Sequence, residues 1–130
     1  PINVYDTPLE KFLLRAIRLW FHDWNIENPN QPKHQQGYTR WKEKNGRGMD
    51  YYYQEVLPEC HGGVFLPFQD GKWVAGVLGE AKFLADRHLL LYTISHYGIV
   101  GAAHLSDTEC LTVAETRDRV YLPDGTMKPY

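Results

Sequence analysis

Cysteine is scarce in this sequence, and its scarcity excludes one class of fold. The chain has only Cys60 and Cys110 among its 130 residues. Two cysteines can form at most one bridge, so a small disulfide-stapled scaffold is excluded. We expect both thiols to be free in a reducing compartment. Because no secretory signal is visible, we expect a cytoplasmic protein.

Long apolar runs and a large net charge are also missing. No apolar stretch approaches the ~18 residues needed to span a bilayer, so we expect no membrane partner. The formal net charge is −2, which counts against a polynucleotide binder that lacks sequence preference. The sequence also has no internal repeats and no low-complexity segments. Its ordinary hydrophobic and charged contents, 43% and 23%, predict a single globular domain over residues 1–130.

What the sequence does contain, near its start, is an amphipathic segment. Thr7 can cap a helix, Pro8 suits the first helical position, and Glu10 completes a capping box with Thr7. The apolar residues that follow at helical spacing are Leu9, Leu13, Ile17, Trp20 and Trp24. This pattern predicts one long helix with a broad buried stripe, which ends in the Asn- and Pro-rich residues 25–32.

Residues 63–113 are predicted to supply the sheet on which that helix packs. The pair Asp70-Gly71 between two apolar runs is a strong hairpin signal, because a type I′ turn needs positive φ at both central residues. The run Leu89–Ile94 is typical of a buried central strand, and Cys110–Thr116 alternates as a half-buried strand would. We therefore predict an α+β fold, with one long N-terminal amphipathic helix packed on a mostly antiparallel β-sheet of four to six strands.

Residues 33–48 are the most polar part of the chain and mix basic with aromatic side chains. The candidate binding residues are Tyr38, Arg40, Trp41, Lys42 and Arg47. Such a mixture can contact phosphates and stack on bases, although it also suits a solvated loop with a short helical turn at 39–44. Our leading hypothesis is a small accessory or binding protein that engages a protein or small-molecule partner through this segment. Nucleic acid is the alternative ligand of residues 33–48.

A second set of candidates consists of Asp70, Glu80 and Lys82. Their spacing, with the last two in the string VLGEAKF, resembles that of the PD-(D/E)xK nucleases. In that family two carboxylates hold a divalent metal and the lysine assists the attacking water. The resemblance implies a hydrolase in which Glu80 and Lys82 are catalytic. Asp70 itself lies in the predicted tip turn, at the opposite end of the second strand from Glu80, which is beyond the range of a shared metal.

A third set of candidates is built on His96 and His104. The string ISHYGIVGAAHL resembles the His-bearing strand pair of the papain-like NlpC/P60 hydrolases, which implies a thiol-dependent hydrolase with His96 and either Cys60 or Cys110. Alternatively, His96 and His104 become neighbouring metal ligands if the chain reverses near residues 100–101, whereas on one straight strand roughly 26 Å would separate them. Hydrogen-bonded histidines in a sheet are the simpler interpretation. We expect no cofactor, with a divalent metal as the alternative.

Overall fold

A computed structural model describes all residues of the chain, from Pro1 to Tyr130. Its four α-helices are α1 (Pro8–Trp20), α2 (Pro32–Asn45), α3 (Ala75–Ala85) and α4 (Val113–Val120). Its three strands are β1 (Gly62–Phe65), β2 (Leu90–Ile94) and β3 (Val100–Ala102). A π-helical turn lies at Tyr52–Val56, and 3-10 turns lie at Ile2–Val4, Leu57–Glu59 and Leu105–Asp107. None of the helices has both the length and the apolar character that crossing a membrane requires.

The sheet is small and mixed. Its strand order is β1-β2-β3, with β1 parallel to β2 and β3 antiparallel to β2. A parallel pair needs a crossover connection, and α3 provides it because this helix lies between β1 and β2 in the chain. The predicted central strand is present as β2, but the sheet has three strands rather than four to six. The predicted sheet is therefore wrong in size and pairing, while the α+β class is correct.

Helix α3 replaces the predicted second arm of a hairpin. The turn at Asp70-Gly71 is present, with Gly71 at a φ of 83°, but the following chain coils into a helix instead of pairing back. Leu78, Ala81 and Leu84 are buried on this helix. Their spacing of one helical turn does not fit the alternation of a strand, and it shows why the segment folds as a helix.

Helix α4 replaces the predicted strand over residues 110–116. A capping box fixes its start. Thr112 Oγ1 accepts a hydrogen bond from the Glu115 amide at 3.2 Å, and the Glu115 carboxylate accepts one from the Thr112 amide at 2.8 Å. The sequence signature of this box outweighs the short apolar alternation that favours a strand.

Helix α1 is shorter than predicted and buries less of its apolar stripe. Thr7 is its N-cap, as expected, but the helix ends at Trp20 after 13 residues. Trp20 and Trp24 are 58% and 43% exposed, so the predicted buried stripe is wrong at its C-terminal end. Immediately after the helix, the ring of Phe21 contacts Tyr92 of β2, with centroids 4.9 Å apart. The predicted long helix across the sheet is thus replaced by a short helix beside it.

Two hydrophobic clusters hold the other elements together. The larger cluster joins α3 to the sheet and consists of Leu57, Phe65, Trp73, Leu78, Ala81 and Leu84. The smaller cluster joins α4 to the loop after β1 and consists of Phe68, Leu111 and Val120. Neither set of buried residues includes a member of α1 or α2, so other interactions must position those two helices.

Candidate functional site

Most of the polar segment 33–48 folds as a regular helix. The interpretation as a solvated loop with a short helical turn at 39–44 is therefore wrong. Helix α2 has Pro32 at its first position, and Gly46 closes it with a φ of 72°. Proline suits the start of a helix, and glycine suits the left-handed cap at its end. The buried residues of α2 are His34 and Gly37. They lie one turn apart and define the face of α2 that contacts the rest of the protein.

A hydrogen-bonded chain of three side chains crosses that buried face. His34 Nε2 lies 2.7 Å from a carboxylate oxygen of Glu27, and His34 Nδ1 lies 3.0 Å from the Tyr51 hydroxyl. A carboxylate can only accept hydrogen bonds, so in the neutral imidazole Nε2 carries the proton and Nδ1 accepts from the hydroxyl. The chain of donors therefore runs from Tyr51 through His34 to Glu27.

Glu27 forms the charged end of this chain. Lys33 makes an ion pair with it, with Nζ 2.9 Å from the carboxylate. Hydrogen bonds from Lys33 and then from His34 hold the pKa of the Glu27 carboxyl below its ordinary value. Glu27 therefore presents an ionised carboxylate to His34 Nε2.

Two glycines allow tyrosine rings to lie directly against the backbone. A methyl group at Gly37 would overlap the ring of Tyr51, and one at Gly48 would lie 2.5 Å from the ring of Tyr38. Tyr52 is buried and packs edge-on against Tyr51, with centroids 5.2 Å apart. These contacts hold the Tyr51 ring where its hydroxyl meets the imidazole.

The hydrogen-bonded chain lies in the wall of a cleft of about 830 Å³, which we call the large cleft. It is bounded by the end of α1, the loop 23–29, the start of α2 and the edges of β1 and β2. Its polar lining includes Glu27, His34, Tyr51 and Cys60. Its apolar lining includes Leu14, Ile17, Phe21, Trp24, Ile26 and Val56. The large cleft is therefore lined by both polar and apolar side chains.

A second cleft, of about 570 Å³, also reaches Tyr51. Its lining consists of Arg40, Trp41, Lys44, Asn45, Tyr51 and Glu55, and we call it the basic cleft. Arg40 and Lys44 are four residues apart on α2, as are Trp41 and Asn45, so these side chains project from one side of the helix. Tyr51 and Glu55 line both clefts. Tyr51 consequently stands at the boundary between the two.

The predicted binding residues divide between the basic cleft and other surfaces. Arg40 and Trp41 line the cleft. Tyr38 is the half-buried ring that packs on the backbone. Lys42 and Arg47 are exposed and line neither cleft. The structure thus brings two of the five candidates together.

Glu80 and Lys82 lie two positions apart on α3 and project in different directions. The strand geometry that the nuclease resemblance implies for them is wrong, because the segment is helical. Lys82 is exposed, whereas burial raises the pKa of Glu80 to about 7. Tyr5, Tyr52 and Tyr53 lie near Glu80, and their hydroxyl pKa values are raised by burial and, to a smaller extent, by its carboxylate.

Asp70, the remaining acid of the nuclease pattern, binds Arg119 of α4. Its two carboxylate oxygens accept hydrogen bonds from the guanidinium at 2.9 and 2.7 Å. These bonds lower the pKa of Asp70 to about 2. Asp70 thus links the turn at Asp70-Gly71 to α4. No group of three or more His, Cys, Asp or Glu side chains in the chain is arranged to hold a metal ion.

The candidate metal ligands His96 and His104 lie at opposite ends of the β2–β3 hairpin. The chain reverses where the Ser95 amide donates to the Ile99 carbonyl at 2.9 Å, and His96 lies inside this turn. His104 follows the far end of β3, so roughly 20 Å of strand separates the two histidines. The reversal comes earlier than the one considered near residues 100–101, and the structure does not bring the pair together.

Cys60 is the one predicted catalytic residue that lines the large cleft. Its thiol donates to the Val56 carbonyl at 3.4 Å, and burial raises the pKa of the thiol. A raised pKa disfavours the nucleophilic thiolate. His96 does not line this cleft, and its ring packs on Tyr97 with centroids 3.9 Å apart. The predicted pair of Cys60 and His96 is therefore not assembled there.

The structure brings together three residues that were not among the candidates. Glu27 lies in the Asn- and Pro-rich segment, and Tyr51 lies in a segment without a clear pattern. No motif spacing connects these two positions with His34. The one available signal is the Pro32 start of α2, since a helix beginning there places His34 and Gly37 on one face.

Comparisons with known proteins add no further constraint on this site. No protein family model, curated protein or solved structure matches the chain. What the site can do must be inferred from the contacts, burial and charges of its own residues.

Proposed function

We propose that this protein binds a small anionic ligand that carries a planar ring, and that it does so in the basic cleft. The observation that carries this proposal is the convergence of Arg40, Trp41 and Lys44 from one side of α2 on a single cleft. A guanidinium and an ammonium group can both donate hydrogen bonds to an anion. An indole offers a flat face for stacking. A phosphorylated nucleoside has both of the required groups.

The charge of the basic cleft supports an anionic ligand. Arg40 and Lys44 contribute two positive charges and Glu55 one negative charge, which gives +1, whereas the whole chain carries −2. The salt bridges within the chain use neither Arg40 nor Lys44. Both cations are therefore free to bind a ligand, and Glu55 can accept a hydrogen bond from a ligand hydroxyl or amino group.

The size of the basic cleft favours a small molecule over a nucleic-acid strand. Small-molecule sites measure roughly 300–1,000 Å³, and the basic cleft measures about 570 Å³. A strand that followed the whole segment 33–48 would also contact Lys42 and Arg47. These two residues lie outside the basic cleft.

Isothermal titration calorimetry with adenosine 5′-monophosphate, ribose 5-phosphate and adenosine tests the proposal. We expect the nucleotide to bind more tightly than either fragment, because it engages the cations and the indole together. Arg40→Ala and Lys44→Ala should each weaken binding by about tenfold or more, since a hydrogen bond to a charged group contributes roughly 1.5–3 kcal/mol. Lys42→Ala is the matched control on the same helix and should leave the affinity unchanged.

Failure of all three compounds to bind, or equal weakening in the Lys42→Ala control, would contradict the proposal. Tighter binding of a single-stranded oligonucleotide, weakened in both Lys42→Ala and Arg47→Ala, would assign the whole segment 33–48 to nucleic acid instead. That binding would also decline more steeply with salt, because more phosphates would be neutralised.

A further inference from the structure

The chain of Glu27, His34 and Tyr51 has the order carboxylate, imidazole, hydroxyl. This order activates a hydroxyl nucleophile in many hydrolases. The distances of 2.7 Å from Glu27 to His34 and 3.0 Å from His34 to Tyr51 are within the reach that such proton transfer needs. We propose that Tyr51 is a nucleophile that His34 deprotonates, and that the large cleft holds the acyl group of an ester substrate.

The Tyr51 side chain borders both clefts, although the imidazole behind it is enclosed. Tyr51 is half-buried and lines both clefts, and the proposal requires an electrophile to approach its hydroxyl from the large cleft. His34 is only 5% exposed, and both of its ring nitrogens are already bonded within the chain. The proton that His34 Nδ1 is placed to accept is therefore the one on Tyr51.

The lining of the large cleft favours an apolar acyl chain. Leu14, Ile17 and Phe21 lie on the same cleft as the polar wall formed by Glu27 and His34. An acyl chain packed on these apolar side chains would be removed from water, which is favourable in proportion to the area buried. The proposal does not depend on what occupies the basic cleft.

Acyl transfer to Tyr51 would proceed in two steps. In the first step the Tyr51 oxygen attacks the ester carbonyl carbon, and its proton passes to His34 Nδ1. The bond from that carbon to the alcohol oxygen then breaks, and the imidazolium gives the proton to the departing alcohol. In the second step water, deprotonated by His34, cleaves the acyl-tyrosine and releases the acid. Glu27 stabilises the imidazolium in both steps.

Labelling with phenylmethanesulfonyl fluoride tests the proposed nucleophile without a known substrate. The Tyr51 oxygen would form a bond to sulfur, fluoride would leave, and His34 would take the hydroxyl proton. Tyr97 is the internal reference, because it is 71% exposed. Peptide mass spectrometry should find Tyr51 labelled at least about tenfold faster than Tyr97, although a purely steric ranking would favour Tyr97. Tyr51→Phe, which retains the ring, should abolish labelling at that position only.

Variants of the other two residues separate a chemical role from a structural one. His34→Ala should slow the labelling of Tyr51 to the rate of Tyr97, and added imidazole should restore part of the rate. Glu27 is a positioning residue, since it acts through His34. Glu27→Gln should slow labelling, because a neutral amide does not stabilise the imidazolium that forms when His34 takes the Tyr51 proton. Glu27→Asp, which keeps the charge, should restore part of the rate. The charged or titratable groups in contact with His34 are Glu27, Tyr51 and Tyr52, and Lys33 is paired with Glu27.

Labelling of Tyr51 no faster than that of Tyr97, or a rate that His34→Ala leaves unchanged, would overturn the proposal. Hydrolysis of p-nitrophenyl acetate above the buffer rate should also be lost in Tyr51→Phe, and hydrolysis that persists in this variant would overturn it as well. Neither reagent is anionic. A negative calorimetric result in the basic cleft would therefore leave this test unaffected, and the two proposals can fail separately.

Discussion

The regions around α2 and α3 are packed by different interactions. Ala81 and Leu84 of α3 are buried among apolar side chains, whereas His34 of α2 is buried with hydrogen bonds to Glu27 and Tyr51. Apolar burial is stabilising without directed contacts. A buried polar group requires partners in defined positions. The α3 region therefore contributes most to stability, and the α2 region positions polar groups.

Two glutamates show the same contrast. Glu10 of α1, which is 9% exposed, accepts hydrogen bonds from Asn28 at 2.8 Å and Asn30 at 3.1 Å. These bonds tie the loop that carries Glu27 to α1. Glu80 of α3 has no hydrogen bond that offsets its burial, and its pKa is raised to about 7. Hydrogen bonds thus stabilise the carboxylate of Glu10, whereas burial favours the protonated carboxyl of Glu80.

Leu84→Ala should cause the largest loss of stability, and it tests whether apolar packing around α3 contributes most of the free energy of unfolding. Leu84 is 1% exposed in the larger cluster, and such changes lower the free energy of unfolding by roughly 2–5 kcal/mol. His34→Ala should cost less, about 1–3 kcal/mol, because Glu27 and Tyr51 can then bond to water. Urea denaturation measures both losses. A greater loss in His34→Ala would contradict this account, because the α2 region would then contribute more to stability than the α3 region.

Glu80→Gln should change how stability depends on pH. The pKa of Glu80 rises from 4.5 in the unfolded chain to about 7 in the fold, so folding binds a proton between these values. The resulting stability is complete below the lower pKa and is lost as the pH rises through the higher one, by about 3 kcal/mol in total. Glutamine cannot titrate, so the variant should gain stability relative to the wild type as the pH rises.

Urea denaturation of both proteins at about pH 5 and about pH 8, which span most of this window, measures the difference. The subtraction of one protein from the other removes the contributions of the histidines, which both proteins share. Parallel pH profiles would mean that the carboxyl of Glu80 is not strained by burial, and the contrast with Glu10 would no longer hold.

A pair of helical glycines should give the smallest effects, and these should have opposite signs. Alanine is favoured over glycine within a helix by up to ~1 kcal/mol. At Gly76 of α3 the added methyl group would meet only Met49, at 3.9 Å, so Gly76→Ala should be stabilising. At Gly37 of α2 it would overlap Tyr51, so Gly37→Ala should lose about 1–2 kcal/mol. Thermal melts check both, and shifts of the same sign would contradict the tyrosine contact.

The ends of the helices could be predicted from local signals in the sequence. Thr7 starts α1, Pro32 and Gly46 bound α2, and Thr112 starts α4. These signals depend on a few neighbouring residues and not on tertiary contacts. Only the first of them was interpreted correctly. The bounds of α2 were missed because residues 33–48 are polar and show no apolar stripe, and Thr112 was missed because the short apolar run beside it also fits a strand. Such runs do not distinguish a strand from a buried helix, and α3 is the clearest example.

The candidate site could be predicted only where it lies on one element. Arg40 and Trp41 are adjacent on α2, and composition alone identifies them as a basic and aromatic pair. Glu27, His34 and Tyr51 come from three separate segments. They meet because the ring of Tyr51 lies against the α2 backbone and because hydrogen bonds tie the loop of Glu27 to α1. Contacts of this kind arise from tertiary packing, which no spacing in the sequence records.

The tautomer of His34 tests most directly whether the α2 region holds a directed chain of hydrogen bonds that ends at Tyr51. Long-range proton–nitrogen NMR, at a pH where the imidazole is neutral, identifies which ring nitrogen carries the proton. We predict that Nε2 is protonated and donates to Glu27, while Nδ1 is bare and accepts from the Tyr51 hydroxyl. A protonated Nδ1 with a bare Nε2 would contradict this arrangement, because Glu27 would lose the imidazole as a donor and Tyr51 would lose its base.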